Sequence, residues 1–166
     1  MMREIDDQLD GRTADLLVVP VGVGSLAQAV VSHCKATDRS TAVLTVEPET
    51  AACLWESLRG GRVASVDTTP TIMAGLDCGT VSSIAWPMLA SGVDASLTVS
   101  DNEAHAASEE LIAFGISAGP CGAAGLAALR RLRDSDKSAL RLDHKSTVLL
   151  LCTEGMRGYD VPPEQT

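Results

Sequence analysis

The sequence predicts an α/β fold, a three-layer αβα sandwich around a mostly parallel sheet, as one domain over residues 1–160. Three observations predict it. Apolar runs without alternation, such as DLLVVPV at 15–21, are the mark of strands covered on both faces. These runs alternate with helix-period segments at spacings that suit parallel strands joined by crossover helices. Hydrophobic residues make up 45% of the 166 residues and aromatic ones 2%, so a core exists and is built from Ala, Val, Leu and Ile.

The elements follow in order. The 15–21 strand ends in Gly22-Val23-Gly24-Ser25, and an Ala-rich helix pattern runs from 25 to 37. TAVLTVE (41–47) is the second strand. ETAACLWESLRGG (49–61) is an amphipathic helix whose closing glycine pair is a stop signal. ASLTVS (95–100) is the third strand, and Ser100 or Asp101 caps a helix over 101–115. CGAAGLAALRRLR (121–133) is a helix with small residues on its early turns, 133–146 is a polar connecting loop, and STVLLLCTE (146–154) is the last buried strand. Residues 161–166 are expected to fray.

Composition excludes several functions. A formal net charge of −9 disfavours a phosphate-backbone partner, and the lack of aromatic residues disfavours base stacking. The one basic cluster, Arg130, Arg131 and Arg133, ends a helix pattern and reads as cations opposing the negative helix terminus, with anion binding as the alternative. No run approaches the ~20 apolar residues of a membrane span, and MMREIDDQLD lacks the apolar centre of a signal peptide, so a cytoplasmic location is expected. Cys34, Cys53, Cys78, Cys121 and Cys152 form no CxxC pair and read as reduced thiols. His33, His105 and His144 are scattered and read as surface residues.

The glycine corner carries the chemistry. A parallel sheet binds ligands at the carboxyl ends of its strands. Glycine lets backbone approach a ligand closely, and a helix N-terminus offers free N–H groups and a positive dipole end. Gly22-Val23-Gly24-Ser25 is therefore a phosphate seat or an ordinary helix cap. A dinucleotide fingerprint needs a third glycine where Ala27 stands, and its ribose-binding acid would be Glu47, which Pro48 follows at once. A nucleotide-binding Rossmann domain stays as a minor alternative.

VVPVGVGSLAQAV, TVEPETAACL, TIMAGLDCGTVSSIAWP, SAGPCGAAGLAAL and LLLCTEG occur in this order over nearly the whole chain. Together they resemble the second half of a fold type II pyridoxal-phosphate-dependent enzyme, the tryptophan synthase β-like family that includes threonine dehydratase and serine racemase. The GLDCGT…AWP and CTEG stretches most resemble the C-terminal half of diaminopropionate ammonia-lyase. The resemblance implies pyridoxal 5′-phosphate as cofactor, its phosphate held by the backbone of Gly22, Val23, Gly24, Ser25 and Leu26. It implies Cys152 beside the pyridine nitrogen, where relatives carry a hydroxyl, with Thr153 next to it; cysteine is the weaker hydrogen-bond partner. Taken alone, Cys152 reads as a buried core thiol. Glu47 matches a glutamate that in some relatives helps hold a divalent cation with an acid six residues on. Here that residue is Cys53, and one carboxylate does not make a hard-cation site, so no metal is expected. Asp77 falls near a ligand-facing turn of the family or is a loop acid.

The family lysine that forms the Schiff base lies upstream of the glycine loop, as do its acid–base carboxylates and substrate loop. None of Lys35, Lys137 and Lys145 sits in a matching motif. The expectation is a partial large domain, with the family's N-terminal half absent, no catalytic residue of its own and cofactor bound non-covalently at most. The implied activity is ammonia elimination from a small amino acid such as 2,3-diaminopropionate, lost in this chain alone; the alternative is a non-catalytic phosphate- or cofactor-binding module. A complementing chain or a homodimer is the expected protein partner, and an apolar face or unpaired strand edge the expected consequence.

Overall fold

The computed structural model describes residues 1–35 and 41–163. In chain order it contains α1 (Met2–Gln8), β1 (Leu16–Pro20), α2 (Ser25–Lys35), β2 (Ala42–Pro48), α3 (Cys53–Gly60), α4 (Trp86–Gly92), β3 (Ala95–Val99), α5 (Asp101–Ala113), α6 (Pro120–Arg131), α7 (Asp134–Ala139) and β4 (Val148–Leu150). Two short 3-10 turns, Glu49–Ala51 and Ala74–Leu76, lie in the connections.

The four strands are all parallel, in the order β3-β2-β1-β4. Central β1 is buried throughout, as its unbroken apolar run requires, while β3 and β4 form half-buried edges. Side chains alternate between two apolar layers. Leu16, Val18, Leu44 and Val46 face the small residues of α5 and α6. Leu17, Val19 and Val43 face α2, α3 and α4, with Met2 and Ile5 of α1 at the margin. The three-layer α/β architecture is therefore present.

Small residues let α6 lie close to the sheet. A Cβ on Gly122 would come within 2.5 Å of the Glu154 carbonyl oxygen and 2.7 Å of the Cys152 sulfur, so only glycine fits there. Ser100 caps α5 with a full capping box. Its hydroxyl accepts from the Glu103 N–H, and the Glu103 carboxylate accepts from the Ser100 N–H at 2.7 Å. Gly61 closes α3 in the left-handed conformation, φ +66°.

Several boundaries differ from the sequence expectation. The last strand spans Val148–Leu150 rather than 146–154. After Leu151 donates to the Val18 carbonyl the chain leaves the sheet, and Glu154 turns to the start of α6. The supposed loop 133–146 contains α7, because the Asp136 carboxylate accepts from the Arg133 N–H and starts a helical turn. The helix expected at 49–61 begins only at Cys53, after the 3-10 turn. α1 and α4 went unpredicted; each has seven residues, too short to show a period. Residues 36 and 37 of the expected first helix and 164–166 of the expected tail lie outside the described residues.

Candidate functional site

The glycine corner sits at the carboxyl end of the sheet, between β1 and α2. Gly24 has φ +95°, and a Cβ there would come within 2.8 Å of Leu89 Cδ1 on α4, so both backbone and packing demand glycine. Val23 and Ser25 are exposed, while Gly24 is buried beneath them.

Each carbonyl of the corner has a fixed acceptor role. Gly22 C=O receives the Cys53 thiol at 3.8 Å. Val23 C=O accepts from the Ser82 N–H at 2.9 Å, and Gly24 C=O accepts from the Gln28 N–H at 2.8 Å. No described peptide bond is cis, and in a trans peptide the C=O and the next N–H point in opposite directions. The N–H groups of Val23, Gly24 and Ser25 are thus turned away from these partners. The next residues, Leu26 and Ala27, add the unpaired donors of the first helical turn, where the dipole is positive. This arrangement can hold an anion without a cationic side chain.

Cys152 follows β4, whose last residue, Leu150, pairs with Val18 of β1, so it leaves the sheet at the same carboxyl end as the corner. It is exposed, which corrects its reading as a buried core thiol. Its thiol lies 3.6 Å from the Glu154 carbonyl oxygen, and burial is the largest cause raising its pKa, so it stays protonated. Thr153, also exposed, follows it. The predicted residues on β1–α2 and after β4 are therefore brought to one end of one sheet.

Glu47 is the last residue but one of β2 and is fully buried. Its two oxygens accept from the N–H groups of Leu54 and Trp55, each at 2.7 Å, so the carboxylate holds the first turn of α3. Burial outweighs these bonds and raises its pKa to about 7. Both oxygens are occupied and the neighbouring side chain is the Cys53 thiol, an environment that does not fit a hard cation. Among the described residues no group of three or more His, Cys, Asp or Glu is placed to hold a metal. The same burial keeps Glu47 from a ribose, which removes the ground for the nucleotide-binding alternative.

Sequence reasoning missed several neighbours of the site. Glu154 accepts from the Cys121 N–H at 2.7 Å and pairs with Arg157 at 2.8 Å, and Arg157 also donates to the Ile72 carbonyl. Burial works against ionisation of Glu154, yet the Arg157 and Cys121 hydrogen bonds hold its pKa below the usual value. Ser82 and Leu89 come from a stretch with no clear period. Only the short spacing of Cys53 from Glu47 is visible in the sequence, and it bears on a metal there rather than on a hydrogen bond.

Arg131 contacts Glu49 at 2.7 Å, Glu103 at 3.0 Å and the Thr98 carbonyl at 2.9 Å, Arg130 pairs with Glu110, and Arg133 pairs with Asp136. The basic cluster is thus engaged by acids. His33 and His105 are half-buried rather than surface residues, His33 pairing with Asp6 at 3.0 Å and His105 with the Tyr159 hydroxyl at 2.8 Å. A cavity of about 640 Å³ lies at the other end of the sheet, where Asp94 and Ala42 begin the strands.

Residues 1–154 match the family model described as pyridoxal-phosphate dependent enzyme. Diaminopropionate ammonia-lyase of Salmonella typhimurium is 30% identical over 161 residues, covering 87% of this chain and 40% of the relative. Among solved structures, the T.th. threonine deaminase superposes with a TM-score of 0.80 at 29% identity, covering 95% of this chain and 55% of that one. Diaminopropionate ammonia lyase from Escherichia coli gives 0.78 at 27% identity, covering 93% and 43%. The chain spans about two fifths of the length of the curated relatives it matches. A match over nearly all its residues, joined to this parallel sheet and its glycine corner, places the chain in the pyridoxal-phosphate-dependent enzyme family of fold type II, whose cofactor is pyridoxal 5′-phosphate.

Proposed function

We propose that this chain forms the phosphate-holding part of a pyridoxal-phosphate site that serves ammonia elimination from a small amino acid such as 2,3-diaminopropionate. The observation that carries the proposal is the set of three carbonyls held by Cys53, Ser82 and Gln28, which turns the N–H groups of Val23, Gly24 and Ser25 outward at a helix N-terminus. Gly22 to Leu26 would hold the phosphate, and Cys152, with Thr153 beside it, would face the ring nitrogen. When bound, the cofactor supplies an electron sink for carbanion chemistry at the substrate α-carbon. A protonated thiol is a weak acceptor and carries no charge to hold a proton on the ring nitrogen, so this chain would not keep that nitrogen protonated.

The lysines support a non-covalent role. Lys35 bonds Asp94 at 2.7 Å, where β3 begins, and Lys137 lines a cavity with Val148, the first residue of β4. Lys145 lies two residues before Thr147, whose N–H donates to Asp15 just ahead of β1. All three thus belong to the amino end of the sheet, opposite the glycine corner. The Schiff-base lysine would come from residues other than these 166, and without it the chain binds cofactor but does not turn over substrate. The same placement favours a second reading, a binding module with no catalytic partner.

Titration with pyridoxal 5′-phosphate and with pyridoxal tests the proposal. The account expects saturable binding of the phosphorylated form, competition by inorganic phosphate, and no covalent mass increment after borohydride reduction. Equal affinity for pyridoxal would refute the seat, and a stoichiometric adduct at one lysine would refute non-covalent binding. Ammonia release from 2,3-diaminopropionate, absent alone and restored by a lysine-bearing chain, would separate the lyase reading from the binding module.

A further inference from the structure

We propose that Cys53 is a positioning residue for the anion seat: its thiol, carried on the helix that Glu47 clamps, fixes the Gly22–Val23 peptide plane so that the Val23 N–H faces the open side of the corner. The inference deepens the phosphate reading above and rests on it.

Three observations build it. Cys53 is the first residue of α3 and is fully buried. Its position relative to the end of β2 is set by Glu47, whose oxygens take the N–H groups of the next two residues, Leu54 and Trp55. Its sulfur lies 3.8 Å from the Gly22 carbonyl oxygen, across 31 residues of sequence. The thiol has one proton and faces two acceptors, the Gly22 carbonyl and the Glu47 carboxylate. Burial, and then the charge of Glu47, push the thiol up to about 12, so that proton is retained and the group remains a donor.

The consequence follows from peptide geometry. The Ser82 and Gln28 bonds fix the two planes that follow, through Val23 and Gly24, but neither touches the first. Val21 donates to the Val46 carbonyl, which ties the end of β1 and leaves the Gly22–Val23 unit free to rotate between two anchored neighbours. A glycine at the start of that unit makes the rotation cheap. The Cys53 thiol acts at this point, and a flipped plane would present a carbonyl oxygen to the anion in place of an N–H.

Cys53→Ala and Cys53→Val test this. One side chain is smaller than cysteine and one larger, and neither donates. In the ligand-free, ¹⁵N-labelled chain, both variants should move the Val23 amide resonance, with Gly24 and Ser25 moving less. Both should weaken binding of pyridoxal 5′-phosphate by roughly two- to tenfold, the range of one hydrogen bond. An unmoved Val23 resonance in both variants, or wild-type affinity in both, would overturn the proposal. Affinity that follows side-chain volume would also overturn it, since that is the mark of packing alone. If the unsubstituted chain shows no saturable binding, the phosphate reading fails by itself, and the Val23 resonance still decides the orientation of the plane.

Discussion

Gly24 and Glu47 show what single residues do here. Gly24 was legible in the sequence as a glycine between an apolar strand and a helix, open to reading as a phosphate seat or an ordinary helix cap. Gly24→Ala would force a side chain into φ +95° and against Leu89. It should destabilise the chain by about 1–3 kcal/mol, read as a lower denaturation midpoint at unchanged slope. Glu47 was legible only as an acid before a proline. Its partners, Leu54 and Trp55, lie seven and eight residues on, beyond a 3-10 turn that no local pattern announces. Its folded pKa of about 7 lies above the ordinary 4.5, so between these values the folded chain binds the proton that the unfolded chain has lost. The contribution of Glu47 to stability is then full below pH 4.5 and is lost as pH rises through about 7, by ~3 kcal/mol in all. Denaturation midpoints measured from about pH 4 to 8 should show that fall, and Glu47→Gln should flatten it.

Helices with a cap signature were readable as elements, and those without one were not. Ser100 with Glu103 announces α5, and the capping box is present. Ser100→Ala should cost about 1 kcal/mol in the midpoint of chemical denaturation. α7 lay hidden in a polar stretch because its start depends on one carboxylate, Asp136, folding back on Arg133. The last strand was over-read for a related reason. LLLCTE is apolar enough to continue, but Glu154 leaves the sheet to meet the Cys121 N–H at the start of α6. That exit is what leaves Cys152 exposed at the carboxyl end of the sheet. Glu154→Ala should therefore disturb both the α6 N-terminus and the Cys152 environment, which thiol-labelling rates of Cys152 would report as a change relative to the unsubstituted chain.

For the whole molecule, the order of apolar runs was enough to give a parallel sheet, and a parallel sheet puts its loops' chemistry at one end. The order β3-β2-β1-β4 was not legible, since periodicity carries no information on which strands are neighbours. It matters because β4 beside β1 puts the segment after β4, Cys152 included, at the end of the sheet where β1 leads into the glycine corner. The same polarity separates the corner from Lys35, Lys137 and Lys145. That separation underlies the proposed non-covalent role, since among the described residues the three lysines lie at the end of the sheet opposite the glycine corner.

The most direct test of the seat is a ¹⁵N–¹H titration of the chain with pyridoxal 5′-phosphate. The account predicts that the amides of Val23, Gly24, Ser25 and Leu26 shift together and saturate with one dissociation constant, while those around Arg130, Arg131 and Arg133 stay in place. Shifts centred on that arginine cluster, or on the cavity beside Asp94 and Asp136, with the glycine corner unmoved, would contradict it.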